Sequence, residues 1–377
     1  MIEERDAFLW LGGLRTLSPV MRQKLLELSG SAKQLLQAPE SELMALVADG
    51  QLKQETMEEI INTRREEAVL RLAENYLKRG FPFLTPVDPE YPELLRNIPD
   101  PPVTLFYRGR IELLSDTLCI GVVGTRTPSL YGKEVAGRFV SGLASAGIVI
   151  VSGLAAGIDA EAHKSAIRSG GATIGVLGGG IDICYPRRNY GIYSEMCESQ
   201  LVLSEYAPGV APLAIQFPLR NRIISGLSEG LLVVEARKRS GSLITADAAL
   251  EQGRSVYAVP GRLGDPLCEG TNNLIRQGAM CVMEISDILE DLGVNLKQSK
   301  RSRAAGQKGT GQDKGILTKE EQQILSKLSL VPVHVDELLD ELLKDGDGNL
   351  QDILSLLLSL ERRALIRQPV RGYYTLV

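Results

Sequence analysis

The sequence has 377 residues, 44% of them hydrophobic and 24% charged, with a formal net charge of −5. This is the composition of an ordinary globular chain of two or three domains. It excludes nucleic-acid binding by overall basicity, so any phosphate site must be a local patch. The start, MIEERDAFLW, has no apolar segment of the secretory type, and no apolar run reaches the roughly 18 residues of a membrane span. Five scattered cysteines without a CxxC pair read as reduced thiols, and His163 and His334, the only histidines, lie far apart. The expectation is a soluble cytoplasmic protein with no metal site.

In chain order, residues 1 to about 80 read as helical. Leu25, Leu26, Leu35, Leu36, Leu43 and Leu46 recur at helical spacing, with breaks at Ser18-Pro19, Ser29-Gly30 and Pro39. A charged helix, Glu66 to Leu77, closes this segment at Gly80. The proline-rich FPFLTPVDPEYPELLRNIPDPPVTLFYRG (Phe81 to Gly109) is too apolar for a flexible linker. It reads as an ordered strap ending in the strand VTLFYRG. From about 115 to 292 the runs LCIGVVG, GIVIVSG, GATIGVLGG, QLVLSEY, EGLLVVEA, SVYAVPG and MCVMEI alternate with helices such as Tyr131 to Ala146 and Ala160 to Ser169. Apolar strands bounded by glycine and separated by helices predict βαβ units around a parallel sheet.

The stretch Leu296 to Lys314 carries six basic residues, one acidic residue and no apolar period, and reads as a solvated linker over 293–315. The tail, 316–377, offers three amphipathic helices and a strand pair around Arg371-Gly372, the pattern of a winged helix. The organisation expected is thus a helical module of the SAM or helix-hairpin-helix kind (1–80), an α/β domain (81–292), the linker and the winged helix.

Parallel-sheet domains bind ligands beyond the carboxyl ends of their strands. Three strands run into glycine turns there: GVVGTRTPSLYG, VSGLAAGID and VLGGGIDICYP. Glycine admits close backbone approach to a phosphate, and the following helix offers free amides. Neither GxGxxG nor GxxxxGK[ST] occurs, which disfavours a dinucleotide site and an ordinary P-loop. Arg126 stands in the first turn. In FPLRNRIISGLS, Arg220 and Arg222 precede the apolar Ile223, Ile224 and Leu227 and are placed near a helix start. In EARKRSGSLITADAA, Arg237, Lys238, Arg239, Ser240 and Ser242 make a second cationic turn opening a helix. Together these predict a phosphate-tracking groove. The competing reading for Arg222 is an internal ion pair with Glu205 or Glu235. His163 reads as a structural histidine tying a helix start to its loop rather than an acid–base partner of Asp159. Ser152, Ser240 and Ser242 have no evident base, so no nucleophile set is assembled.

GTRTPSLYG, VSGLAAGIDAEAH, LSEYAPG, FPLRNRIISGLS and VVEARKRSGSLITADAALEQGR follow one another as in the DprA/Smf DNA-processing proteins, which the chain resembles from about Phe81 to Asp291. The resemblance implies an extended Rossmann-like, doubly wound parallel sheet without cofactor or catalysis. It implies binding and protection of single-stranded DNA, transfer to the RecA recombinase in natural transformation, and a homodimer through the central domain. Carried over by position, Arg126, Ser152, Gly153, Phe217, Arg220, Asn221, Arg222, Lys238, Ser240 and Ser242 would line the DNA groove, with Phe217 offering a surface for base stacking or a core contact. Ala156 departs from the family's usual arginine, so the groove would lean on Arg126 and Arg168. The would-be recognition helix, LQDILSLLLSLERR, has no base before Arg362, which points to a protein-interaction or weakly binding tail. The alternative function is a nucleoside monophosphate hydrolase on a related fold using Glu235, although the usual PGGxGTxxE motif is missing.

Overall fold

The computed structural model describes residues 2–115, 117–294, 318–329, 332–344, 350–363, 365–370 and 372–376. They fall into two units, one holding the N-terminal helices and the large sheet, the other Ser129–Val135 and the tail from residue 318. The first unit opens with helices Glu4–Gly13, Pro19–Ser29, Ala32–Gln37, Glu40–Ala48, Gln54–Thr63 and Glu66–Lys78. Ser18 and Ser31 cap two of them, their side chains accepting from the amides of Met21 and Gln34. Pro19 occupies the first helical turn, and Gly30, at φ 81°, takes the left-handed conformation that ends that helix. The expected breaks therefore coincide with real helix ends. Leu25, Leu35, Leu36 and Leu43 join Trp10 and Ile60 in a buried cluster.

Among the described residues the large sheet has nine strands: β1 (Phe83–Leu84), β2 (Leu105–Gly109), β3 (Cys119–Val123), β4 (Val149–Ser152), β5 (Thr173–Leu177), β6 (Leu201–Ser204), β7 (Gly230–Val233), β8 (Ser255–Ala258) and β9 (Met280–Cys281). Their order is β1-β2-β6-β5-β4-β3-β7-β8-β9. The seven strands β3 to β9 are parallel, while β2 pairs antiparallel with β6 and β1 with β2. Every residue of β3, β4, β5, β6 and β7 is buried, which is why these strands read as unbroken apolar runs rather than alternations. The sequence reading missed β1: two residues between prolines are too few to show a period. Chain order reverses at β3, with β4 on one side and β7 on the other. The crevice beyond the carboxyl ends of β3 and β7 is where such a sheet accepts a ligand.

The tail contains helices Lys319–Lys327, Val335–Lys344 and Leu350–Arg362 with an antiparallel sheet ordered β10-β12-β11, where β10 is Val333–His334, β11 Ile366–Val370 and β12 Tyr373–Leu376. Ile324, Leu338, Ile353, Leu357, Leu360 and Tyr374 form its own core. The expected linker lies, from residue 295 on, outside the described residues, as does Arg371 of the expected turn.

Candidate nucleic-acid interface

Arg220 and Arg222 lie within the helix Gln216–Gly226 rather than at its start. Two positions on a helix turn the side chain through about 200°, so the two arginines leave on opposite faces. Phe217, Arg220, Asn221 and Ile224 share one face, at i, i+3, i+4 and i+7, and line a cleft of about 580 Å³ at the β3/β7 crossover. Arg220 forms its floor. It is 3% exposed, and its Nη1 donates to Gly153 O at 2.7 Å and to Val176 O. Burial lowers its pKa to about 10 against the pull of Asp159. Asp159 is raised by burial, Arg220 opposing, and accepts from the Gly153 amide at 3.1 Å. Gly153 has no room for a side chain: a Cβ would stand 2.4 Å from Arg220 Nη1 and 2.6 Å from Asp159 Oδ2. Its backbone therefore packs closely between Arg220, which donates to its carbonyl, and Asp159, which accepts from its amide.

Arg222 points away from the cleft. Its Nη2 donates to both carboxylate oxygens of Glu205 at 2.9 Å, and its Nε lies 3.0 Å from Asp100 Oδ2. The side chains of Arg222 and Glu205 are 7% and 3% exposed. Burial opposes the charge, but Glu205 and Asp100 outweigh it and hold the pKa above its ordinary value. The groove assignment for Arg222 is thus corrected: it is an internal strut whose partner is Glu205. The two-residue spacing was the available signal.

Ser152 is corrected in the same way. It is fully buried, and its Oγ donates to Val122 O at 2.6 Å. Of the other expected residues, Arg126, Phe217, Asn221, Ser240 and Ser242 line the cleft. Arg126 is exposed, and its guanidinium carbon stands 5.5 Å from the centre of the Phe217 ring, within cation–π range. Phe217 is half-buried and packs against Tyr185 with ring centres 5.6 Å apart. Ser240 caps the helix Gly241–Glu251, its Oγ accepting from the Ser242 amide at 3.4 Å and lying 2.7 Å from Ser242 Oγ. That helix start, with its positive dipole end, opens on the cleft beside Arg239. Asn221 Nδ2 donates to Gly241 O at 3.4 Å, tying the two helices together. Lys238 is exposed but does not border the cleft, where Arg239 stands instead.

A smaller hollow of about 170 Å³ adjoins the cleft between Arg126, Tyr185, Arg188 and Phe217, with Ala156 in its lining. Arg188 supplies a cation on the side where Ala156 offers only a methyl group. The sequence reading overlooked it, although the Arg187-Arg188 pair directly follows GGGIDICYP. Arg168 is instead engaged by Glu161 on its own helix and lines neither hollow. His163 is buried and structural: Nε2 accepts from the Leu154 amide at 3.3 Å, and Nδ1 lies 2.7 Å from Thr173 Oγ1. The Thr173 hydroxyl donates to Ile150 O at 2.8 Å, so Nδ1 carries the ring proton, and burial brings the pKa down to about 3.

Fold and cleft together define a Rossmann-like α/β protein whose sheet crossover carries a cationic, aromatic-lined groove. Residues 82–293 match the family described as DNA recombination-mediator protein A, and the chain belongs to it. The DNA processing protein DprA of Bacillus subtilis is 46% identical over 222 residues, 59% of this chain and 75% of that protein. Its Streptococcus pneumoniae counterpart is 46% identical over 211 residues, 56% of this chain and 74% of that one. The X-ray structure of the S. pneumoniae protein matches with a TM-score of 0.65 and 38% identity over 77% of this chain and 98% of that one. A Helicobacter pylori DNA processing protein A, solved for its single-stranded DNA binding mode, matches with a TM-score of 0.52 and 31% identity over 56% of this chain and 96% of that one.

Proposed function

We propose that this protein binds single-stranded DNA along the β3/β7 cleft, protects it, and hands it to a RecA recombinase during natural transformation, without catalysing a reaction. The observation that carries the binding is the juxtaposition of Arg126 on the Phe217 ring with the open helix start at Ser240–Ser242. A cation and the positive end of a helix dipole track phosphates while an aromatic face accepts a base of any identity. Arg188 and Arg239 extend the phosphate path, and Gly153 and Arg220 hold its floor. The hydrolase alternative is less favoured: Glu235 is buried, and among the described residues the only carboxylate lining the cleft is Asp159, itself buried and engaged by the Gly153 amide.

The same reading divides the chain into a helical module, the Rossmann-like domain, a linker and a winged-helix tail. The tail's last helix exposes Leu354 and Leu358, which suits a protein partner better than duplex DNA. Dimerisation through the central domain is consistent with β9, an edge strand that exposes Met280 and is followed by the exposed Met283. Among the described residues no helix is long and apolar enough to cross a membrane, and the proposed compartment is the cytoplasm.

Three arginine contacts to phosphate predict a log–log salt slope of about −2 on single strands, or an affinity loss of roughly 15- to 20-fold between 50 and 200 mM salt. Arg126→Ala and Arg239→Ala should each weaken oligonucleotide binding by roughly tenfold and flatten that slope by about 0.7. Fluorescence anisotropy with labelled oligothymidylate at two salt concentrations reads both effects. A flat salt response would count against a phosphate-tracking cleft.

A further inference from the structure

The N-terminal module reaches the helix that carries the cleft residues. Arg22, on the helix Pro19–Ser29, is buried, and its Nη1 lies 3.4 Å from Glu205 Oε1. That oxygen is also held by Arg222 Nη2 at 2.9 Å. The Arg22 Nη2 donates to Leu14 O at 2.8 Å, so the guanidinium is anchored in its own module while it pins the carboxylate. Glu205 directly follows β6, and Arg222 belongs to the helix that presents Phe217, Arg220 and Asn221 to the cleft. One carboxylate therefore connects the sheet, the module and the DNA-facing helix.

The seam between the Pro19–Ser29 helix and the Gln216–Gly226 helix contains a cavity of about 420 Å³, lined by Val20, Lys24, Pro218, Leu219 and Arg222 among others. Elsewhere the module is held independently: Leu9 is buried in a cluster with Phe83 and Phe106, Thr104 Oγ1 donates to Phe8 O at 3.0 Å, and Arg5 pairs with Asp88 at 2.8 Å. Loss of Arg22 alone thus leaves the module docked and releases its hold on the helix.

We propose that Arg22 is a positioning residue for the DNA cleft, and that the helical module sets the cleft's affinity from behind through Arg22, Glu205 and Arg222. This rests on the single-stranded DNA reading above. Arg22 lines neither the cleft nor the adjoining hollow, so any effect on DNA must pass through the helix.

The test uses the full chain and labelled oligothymidylate, well below each variant's melting temperature. Arg22→Ala should weaken binding roughly three- to tenfold, and Arg22→Lys, which keeps the charge but not the two-pronged reach, should fall between it and the native protein. Hydrogen exchange of the Gln216–Gly226 amides should quicken in the same order. Native affinity and native exchange in a folded Arg22→Ala would overturn the proposal. Should the alanine variant fail to fold, Arg22→Lys decides: indistinguishable affinity and exchange from the native protein overturn it, intermediate values support it. A native protein that does not bind the oligonucleotide would instead strike the DNA reading, and the affinity claim with it, while the exchange measurement still judges the mechanical link.

Discussion

Arg222→Ala is expected to destabilise the protein by about 3–5 kcal/mol, the effect of leaving a buried charge without its partner. Arg222 serves Glu205 and Asp100 together, and the native network balances two arginines, Arg22 and Arg222, against two carboxylates. Without Arg222, Glu205 retains only Arg22 at 3.4 Å, and Asp100 loses its partner at 3.0 Å. Both side chains of the Arg222–Glu205 pair are below a tenth exposed, so water screens little of the loss. Lysine at 222 should recover part of the stability, since it restores the charge but not the fork that meets both oxygens of Glu205. Urea titration of the two variants against the native protein measures this directly. A midpoint shift equivalent to less than about 1 kcal/mol for the alanine variant would mean that the pair behaves like a surface salt bridge.

The second large effect is on pH. His163 titrates at about 3 in the folded protein, because burial disfavours its charge. In the unfolded chain it titrates near the ordinary value of about 6.5. As pH falls below that value, the unfolded chain takes up the proton first, so the stability present above about 6.5 is lost progressively as pH descends toward 3. At about 1.4 kcal/mol per pH unit, the loss between pH 7 and pH 4.5 is about 2–3 kcal/mol. Asp159 and Asp100 act with the opposite sign, since burial raises both. Their contribution is present at low pH and fades as pH rises through the folded values. The effect is therefore read as a difference: native protein and His163→Gln, each unfolded in urea at pH 7 and pH 4.5. The variant starts less stable, having lost the bonds to Leu154 and Thr173, but should lose about 2–3 kcal/mol less on acidification. Equal losses in the two proteins would show that His163 does not govern this window.

Much of the architecture was legible in the sequence, because it depends on neighbours along the chain. The apolar runs LCIGVVG, GIVIVSG, GATIGVLGG, QLVLSEY and EGLLVVEA each contain a strand, and the Ser-Pro and Ser-Gly breaks mark helix ends. Backbone period and capping chemistry act over a few residues, so they leave their pattern in the letters. The face of the helix Gln216–Gly226 was also readable: Phe217, Arg220, Asn221 and Ile224 fall at helical spacing, and Arg222 does not join them. Taking FPLRNR as one cationic unit overlooked that geometry.

Other features were settled only when distant segments met. Nothing near Arg222 in the chain selects Glu205 and Asp100 over Glu235, and nothing near Arg22 announces a carboxylate 183 residues away. Arg239 borders the cleft and Lys238 does not, although the two are adjacent in one turn. Ser152 ends β4 with its hydroxyl turned to Val122 of the neighbouring strand, a matter of sheet order that no local pattern contains. The physical reason is common to the three buried residues, Arg222, Arg22 and Ser152. A charged or polar side chain pays for its desolvation through whichever partner the assembled fold brings within hydrogen-bond reach, whereas the period of an apolar run is set by the backbone that carries it.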